Sequence, residues 1–325
     1  MQQLQDYKVA FDQYLSEGHF AKEPQALYQP AAYIMQLGGK RLRPILALVA
    51  CHLFRDDFRA ALPVAMGVEV FHNFSLVHDD IMDDAPLRRG KPTVHSLFGL
   101  NAGILSGDVM LIYAYEYLLQ AGDAHLNARL LKAFNQCAIQ VCEGQQWDVD
   151  FERRSDVSIR EYLHMIECKT AALVACSLQM GAMTAGASDA DLHHLYEFGR
   201  HLGIAFQLQD DYLDTFGEAE KFGKKTGGDI VQNKKTFLIL KALELADAPL
   251  RSSLLHYMNT PTANEQKKIQ EVSTILIQLG VPAIAEAERN RYHKQALEHL
   301  NQVSAPENRK AGLYLLAETL LNRDA

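Results

Sequence analysis

Residues Thr170 to Ser188 read TAALVACSLQMGAMTAGAS, and no residue among them carries a formal charge. The stretch approaches the length of a membrane span. Ser177, Gln179 and Thr184, with several Ala and Gly, argue for another setting. A helix apolar all round also belongs at the centre of a bundle, covered by other helices on every side. That reading decides the fold class, since such a helix needs helical neighbours to bury it.

The flanking sequence agrees. No proline occurs between Pro92 and Pro249, and a long proline-free window permits a set of long helices. Apolar spacing in Leu100–Leu119, Leu130–Val141 and Ile159–Met180 fits a helical period better than alternation. Ser158 with Glu161 predicts a capping box. Ser188 with Asp191, and Ser304 with Glu307, predict two more helix starts. No convincing run of strands, low-complexity tract or linker interrupts the pattern. The expectation is an all-α chain folded as one large helical domain over residues 1–325.

Composition narrows the function. Of the 325 residues, 48% are apolar and 22% charged, and the net charge is -8. An acidic chain is a poor nucleic-acid binder and a poor ligand for an anionic membrane. Anionic substrates would need metal ions or local clusters of cations. Five cysteines with no CxxC pair predict reduced thiols in a cytoplasmic protein. The N-terminus lacks an uninterrupted apolar run, so no signal peptide is expected, nor any integral membrane association.

One short motif occurs twice: Asp79-Asp80-Ile81-Met82-Asp83, then Asp210-Asp211-Tyr212-Leu213-Asp214. On a helix, residues four apart share a face, so Asp79 pairs with Asp83 and Asp210 with Asp214. Like charges at that spacing repel, and the pattern makes physical sense if a divalent cation lies between them. Oxygen-only ligands favour a hard ion such as Mg²⁺, which shares its shell with substrate phosphates. Cations stand nearby in sequence: Gly38-Gly39-Lys40-Arg41-Leu42-Arg43-Pro44, Arg88-Arg89-Gly90, and Gly223-Lys224-Lys225-Thr226-Gly227-Gly228-Asp229. Together they supply counter-charge for two diphosphates. Other readings leave residues unused. A di-iron bundle built on Glu69/His72 and Glu161/His164 gives the acidic motifs no role, and a phosphohydrolase built on His78-Asp79 leaves the second motif unexplained. A silent partner subunit would not need both motifs intact.

At these residues the chain resembles the trans-isoprenyl (polyprenyl) diphosphate synthases. Both Asp-rich motifs match that family's, as does Gly38 to Pro44 its GGKRxRP. Further matches are His72, Arg88-Arg89-Gly90, Gly107-Asp108, Gly144-Gln145 with Asp148, Lys169-Thr170, Phe206-Gln207, and Lys224 with Gly227 and Asp229. The family's GKxT reads Asn233-Lys234-Lys235-Thr236 here, with the glycine replaced and Leu238 where a proline is usual. A terpene cyclase is a related alternative, but its second metal motif is normally of an Asn/Ser/Glu type.

The resemblance implies an isoprenoid-synthase bundle around a central cavity, a homodimer, and three Mg²⁺ per active site held by Asp79, Asp80, Asp83, Asp210 and Asp214. It implies condensation of isopentenyl diphosphate with dimethylallyl, geranyl or farnesyl diphosphate. Arg88, Lys169, Lys224 and Lys234 would meet the allylic diphosphate. Lys40, Arg43, His72 and Arg89 would hold the other, and Thr170 and Gln207 would face the carbocation. Phe71, Phe74 and Ser75, one to two turns before the first motif, would set product length. A bulky residue at 74 goes with short products, C20 before C15.

Overall fold

The computed structural model describes residues 2–217, 226–259 and 264–321. The helices are α1 (Gln2–Leu15), α2 (Gln25–Gln36), α3 (Leu42–Phe54), α4 (Leu62–Met82), α5 (Val94–Phe98), α6 (Leu100–Leu119), α7 (Ala124–Arg153), α8 (Ile159–Ile166), α9 (Ala172–Thr184) and α10 (Asp189–Phe216). Then come α11 (Gly228–Val231), α12 (Phe237–Leu245), α13 (Ala248–Asn259), α14 (Glu265–Gln278), α15 (Val281–Gln302) and α16 (Glu307–Leu321). The all-α expectation holds, with one small exception. Strands β1 (Leu87–Arg88) and β2 (Lys91–Pro92) pair antiparallel. Two-residue strands leave no periodic signal in the sequence.

The chain divides into two compact units, neither continuous in sequence. The first takes residues 1–136, 176–196 and 303–313. Its core is built on Phe11, Leu46, Leu48, Met66, Phe71, Met110 and Phe134, all fully buried. In it, α4 packs chiefly along α6. Small residues permit the close approach: a Cβ on Gly67 would lie 2.9 Å from the Ala114 carbonyl oxygen, and one on Gly107 only 2.2 Å from His78 Nε2. The second unit takes residues 137–175, 197–302 and 314–325. Its core gathers Phe151, Tyr162, Ile166, Leu208, Phe237, Leu240, Val272 and Leu276.

Residues 170–188 behave as their composition demands. Helix α9 has all but two of its side chains, Gln179 and Met183, buried, and it ends at Thr184, too short to span a bilayer. Among the described residues, only Phe58–Met82 is long and apolar enough to cross a membrane, and 61% of its most apolar window is buried inside the protein. The Ser158–Glu161 capping box forms in both directions. Ser188 Oγ accepts from the Asp191 N–H, as expected. Ser304 departs from expectation: its N–H and hydroxyl donate to Asp191, and Glu307 pairs instead with Lys310 at 2.5 Å. The buried Asp191 carboxylate is satisfied by the hydroxyls of Ser188 and Ser304 and the Ser304 N–H.

Candidate active site

In the first unit the acidic motif closes α4. Asp79 is half-buried in the last turn. Asp83 caps it, its N–H donating to the Asp79 and Ile81 carbonyls. Asp80 turns inward and is 1% exposed. Arg88 Nε donates to both its oxygens, at 2.9 and 2.8 Å, and Arg88 Nη2 lies 2.7 Å from Asp80 and 3.6 Å from Asp79. Asp80, expected among the metal ligands, and Arg88, expected on a diphosphate, thus pair with each other. A carboxylate buried this deeply requires a fixed counter-charge.

The hairpin delivers Arg88. Its turn is Arg89-Gly90, with φ of 53° and 73°, the sign pattern of a type I′ connection. Arg89 reaches back and donates to the Gly38 carbonyl. A Cβ on Gly39 would sit 3.0 Å from that guanidinium, so this glycine makes room for an arginine rather than only for phosphate. Lys40 is exposed beside the pair. Arg41 is buried, paired with Glu69 at 2.5 Å, and Glu69 also accepts from Asn73 at 3.2 Å. The Glu69/His72 pair is therefore no di-iron ligand set. Glu161 is likewise spent in its capping box, and His164 lies against Trp147.

His72 lies 3.4 Å from Arg43 Nη1. Burial first, then the charges of Arg43, Arg89, Arg88 and Arg41, hold its imidazole well below the usual 6.5. It is neutral at physiological pH amid four guanidiniums, a concentration of positive potential suited to an anion. Below the motif, Phe71 packs against Phe74 with tilted rings at 5.5 Å and edge-on against Phe134 at 5.0 Å. Phe74 also meets His78 at 4.9 Å, and Ser75 Oγ donates to the His72 carbonyl.

In the second unit, Lys169 and Thr170 lie in a π turn, Glu167–Ala171, between α8 and α9. A Cβ on Gly144 would fall 2.3 Å from the Lys169 backbone nitrogen, so glycine there lets α7 lie against the turn. Lys169 Nζ meets Asp148 at 2.5 Å. Thr170 Oγ1 donates to Gln207 Oε1 at 3.3 Å, and Gln207 Nε2 donates to Asp211 at 3.0 Å. Asp211 also accepts from the Tyr162 hydroxyl and is 4% exposed. Burial, then the charges of Asp229 and Asp210, push its carboxyl up to about 8. Asp210 and Asp214 are half-buried on α10. Asp214 Oδ2 accepts from the Asp229 N–H at 2.9 Å, and Lys234 Nζ is 3.7 Å from Asp229. Lys224, with Gly223 and Lys225, lies outside the described residues.

The two motifs share one design. In each, the second aspartate is buried and held by protein donors, while the first and last sit four residues apart on one helix face. Within each motif the outer pair, Asp79 with Asp83 and Asp210 with Asp214, offers oxygen-only donors of the kind that fits Mg²⁺. The described non-glycine residues with positive φ are Arg41, Asp84, Arg89 and Asn233. All four stand in the loops around the motifs, where backbone strain marks functional sites.

Sequence reading missed Tyr162, Asn73 and Arg41's burial, because long-range partners of a buried carboxylate follow no spacing rule. Among the clusters that lie apart, one brings the ligand atoms of Glu197, His201 and His299 within 4.8 Å of one another. Arg200 already fills it, 3.0 Å from His201 Nε2 and 2.7 Å from Glu197.

The chain as a whole is similar to known proteins. The family model described as polyprenyl synthetase matches residues 24–276. A short chain isoprenyl diphosphate synthase of Methanothermobacter thermautotrophicus is 36% identical over 99% of this chain and 98% of its own. A geranylgeranyl diphosphate synthase of Sulfolobus acidocaldarius is 36% identical over 96% and 99%. A crystal structure of a geranylgeranyl pyrophosphate synthase superposes with a TM-score of 0.94 at 42% identity, covering 99% of both chains.

Proposed function

This chain belongs to the polyprenyl synthetase family, and from that premise we propose how its own residues carry out the family's reaction. The chain is a short-chain prenyltransferase. It joins isopentenyl diphosphate head to tail to an allylic diphosphate (dimethylallyl, geranyl or farnesyl) and releases pyrophosphate. The observation that carries the assignment of roles is the shared design of the two motifs. Asp79 and Asp83, with Asp210 and Asp214, would hold Mg²⁺, three ions per site. Asp80 and Asp211 keep those helix ends in place. Bound there, Mg²⁺ neutralises charge on the departing diphosphate.

Arg88, Lys169, Lys224 and Lys234 bind the allylic diphosphate. Lys40, Arg43, His72 and Arg89 bind the other, His72 as a neutral imidazole. The allylic C–O bond breaks with its electron pair leaving on pyrophosphate. The isopentenyl double bond then attacks the allylic carbon. Thr170 and Gln207, linked through Asp211 to Tyr162, aim oxygen dipoles at the positive charge. The pyrophosphate takes up the proton that the new cation loses.

Phe71, Phe74 and Ser75 set product length, with C20 ahead of C15. The exposed apolar side chains Leu97 of α5 and Leu100, Ile104, Leu105, Ile112 and Leu119 of α6 suit burial against a second copy of the chain, making a homodimer. None of the five cysteines forms a disulfide, which suits a reducing cytoplasm.

The test is a product assay. Purified protein receives Mg²⁺, labelled isopentenyl diphosphate and, separately, C5, C10 and C15 allylic diphosphates, with a chelator control. Metal-dependent incorporation with a C20 major product is expected. No incorporation from folded protein with any primer would overturn the assignment.

A further inference from the structure

Lys268, on α14, is 4% exposed. The reaction described above gives it no role. Burying an ammonium is costly unless its donors are used, and Lys268 uses them on one short segment of chain. Its Nζ donates to Asn233 Oδ1 at 2.5 Å and to the Val231 carbonyl at 3.3 Å. Both acceptors lie at the C-terminal end of α11.

The neighbouring residue grips the other end. Gly227 precedes α11 with φ of 84°, and a Cβ there would lie 2.6 Å from Ile269 Cδ1. Adjacent residues of α14 therefore brace both ends of this one-turn helix. What the brace holds is chemistry-bearing. The Gly227 and Asp229 N–H groups donate to the Asp214 carbonyl and carboxylate. The Lys234 N–H donates to the Asp229 carbonyl at 2.9 Å, and its ammonium lies 3.7 Å from the Asp229 carboxylate. Between Val231 and Lys234 the chain turns through Asn233, whose φ is 60°. A glycine adopts that conformation freely, whereas asparagine needs local hydrogen bonding to support it. The resembling family's GKxT carries glycine at this position.

We propose that Lys268 is a positioning residue that holds Asn233 in its left-handed turn, so that Lys234 and the Asp214-bound loop keep their places without a glycine at 233. The inference rests on the assignment of Lys234 and Asp214 to the allylic diphosphate and its metal. It makes Lys268 and Asn233 a coupled pair, because a glycine at 233 dispenses with the clamp.

The experiment is a double-mutant cycle of Lys268→Met, Asn233→Gly and the two together. Lys268→Met should lower kcat/KM for the allylic diphosphate about tenfold, the scale of groups that orient ligands, with KM for isopentenyl diphosphate unchanged. Asn233→Gly should act like the wild type. The double variant should recover to within about twofold of Asn233→Gly, as expected when one substitution removes the need for the other. A Lys268→Met enzyme with wild-type kinetics, or a double variant no better than Lys268→Met, would overturn the proposal. Wild-type turnover tests the prenyltransferase assignment separately. Should the wild type prove inactive, the clamp is still read by the melting temperatures of the four proteins, where additive shifts reject it. If Lys268→Met does not fold, Lys268→Gln, which keeps an amide N–H group but loses the charge, enters the same cycle.

Discussion

Replacing Asp79 or Asp210 by alanine removes one member of an i, i+4 carboxylate pair and leaves the buried aspartate beside it untouched. Turnover should fall by more than about a hundredfold, beyond the range of groups that only orient ligands, with far-ultraviolet circular dichroism unchanged. Near-normal turnover in either variant rejects the ligand assignment. Asp80→Asn should act differently, because it leaves the half-buried Arg88 against a neutral amide. Breaking a fully buried ion pair costs about 3–5 kcal/mol and this partly exposed one less, so its melting temperature should drop along with its activity. An Asp80→Asn protein that melts with the wild type contradicts the pairing seen with Arg88. Phe74→Ala opens space beside Phe71 and His78, and longer products should appear by chromatography. An unchanged product profile removes Phe74 from chain-length control. Helical spacing alone singled out the outer aspartates, since faces repeat every three to four residues. It was silent on Arg88 and Tyr162, which reach the inner aspartates from other elements.

At the scale of elements, the π turn is the most informative departure from regular helix. Lys169 and Thr170 stand in it, and π turns of this kind frequently mark functional sites. Its place against α7 depends on Gly144, so Gly144→Ala forces a Cβ into the Lys169 backbone. Overpacking of this sort costs about 1–3 kcal/mol, and the Lys169–Asp148 contact moves with it. The variant should lose both melting temperature and turnover, and a protein indistinguishable from the wild type in both would reject the packing argument. Capping signals were legible where the partner lies three residues on, as for Ser158 and Glu161. Ser304 was misread because its partner, Asp191, is remote in sequence. The β1–β2 hairpin was legible only as a turn, since Arg89-Gly90 supplies the turn chemistry but the strands have just two residues each.

Across the whole molecule, burial holds His52, His72, His201 and His293 below the ordinary histidine value. For His201 burial acts first and the Arg200 charge second, bringing it to about 4. Above pH 6.5 these residues are neutral in both folded and unfolded chains, and the shifts contribute nothing. Below it the unfolded chain takes up protons that the folded chain refuses, so stability falls as pH drops from 6.5 toward 4. Melting temperature should decline over that window, and His201→Gln should flatten the decline. An identical slope in the variant rejects the contribution of His201. Boundaries of the two compact units fall inside α7, α9, α10 and α16, which supports the proposal that residues 1–325 fold as one domain. Calorimetry should then show a single transition, and two separate transitions would overturn that proposal. The division into units was not legible in the sequence, because it rests on contacts between segments far apart in the chain.

The left-handed residues Arg41, Asp84, Arg89 and Asn233 also bear on how this protein responds to selection. A glycine at any of them would relieve backbone strain. At 84 that exchange removes only a small acidic side chain, whereas at 233 it also takes the near acceptor from the buried Lys268 ammonium. At 41 and 89 it deletes a guanidinium, from the Glu69 pair in one case and from the cationic pocket around His72 in the other. Directed evolution for heat resistance should therefore accept glycine at 84, accept it at 233 only together with a change at Lys268, and reject it at 41 and 89, where durability and catalysis pull in opposite directions.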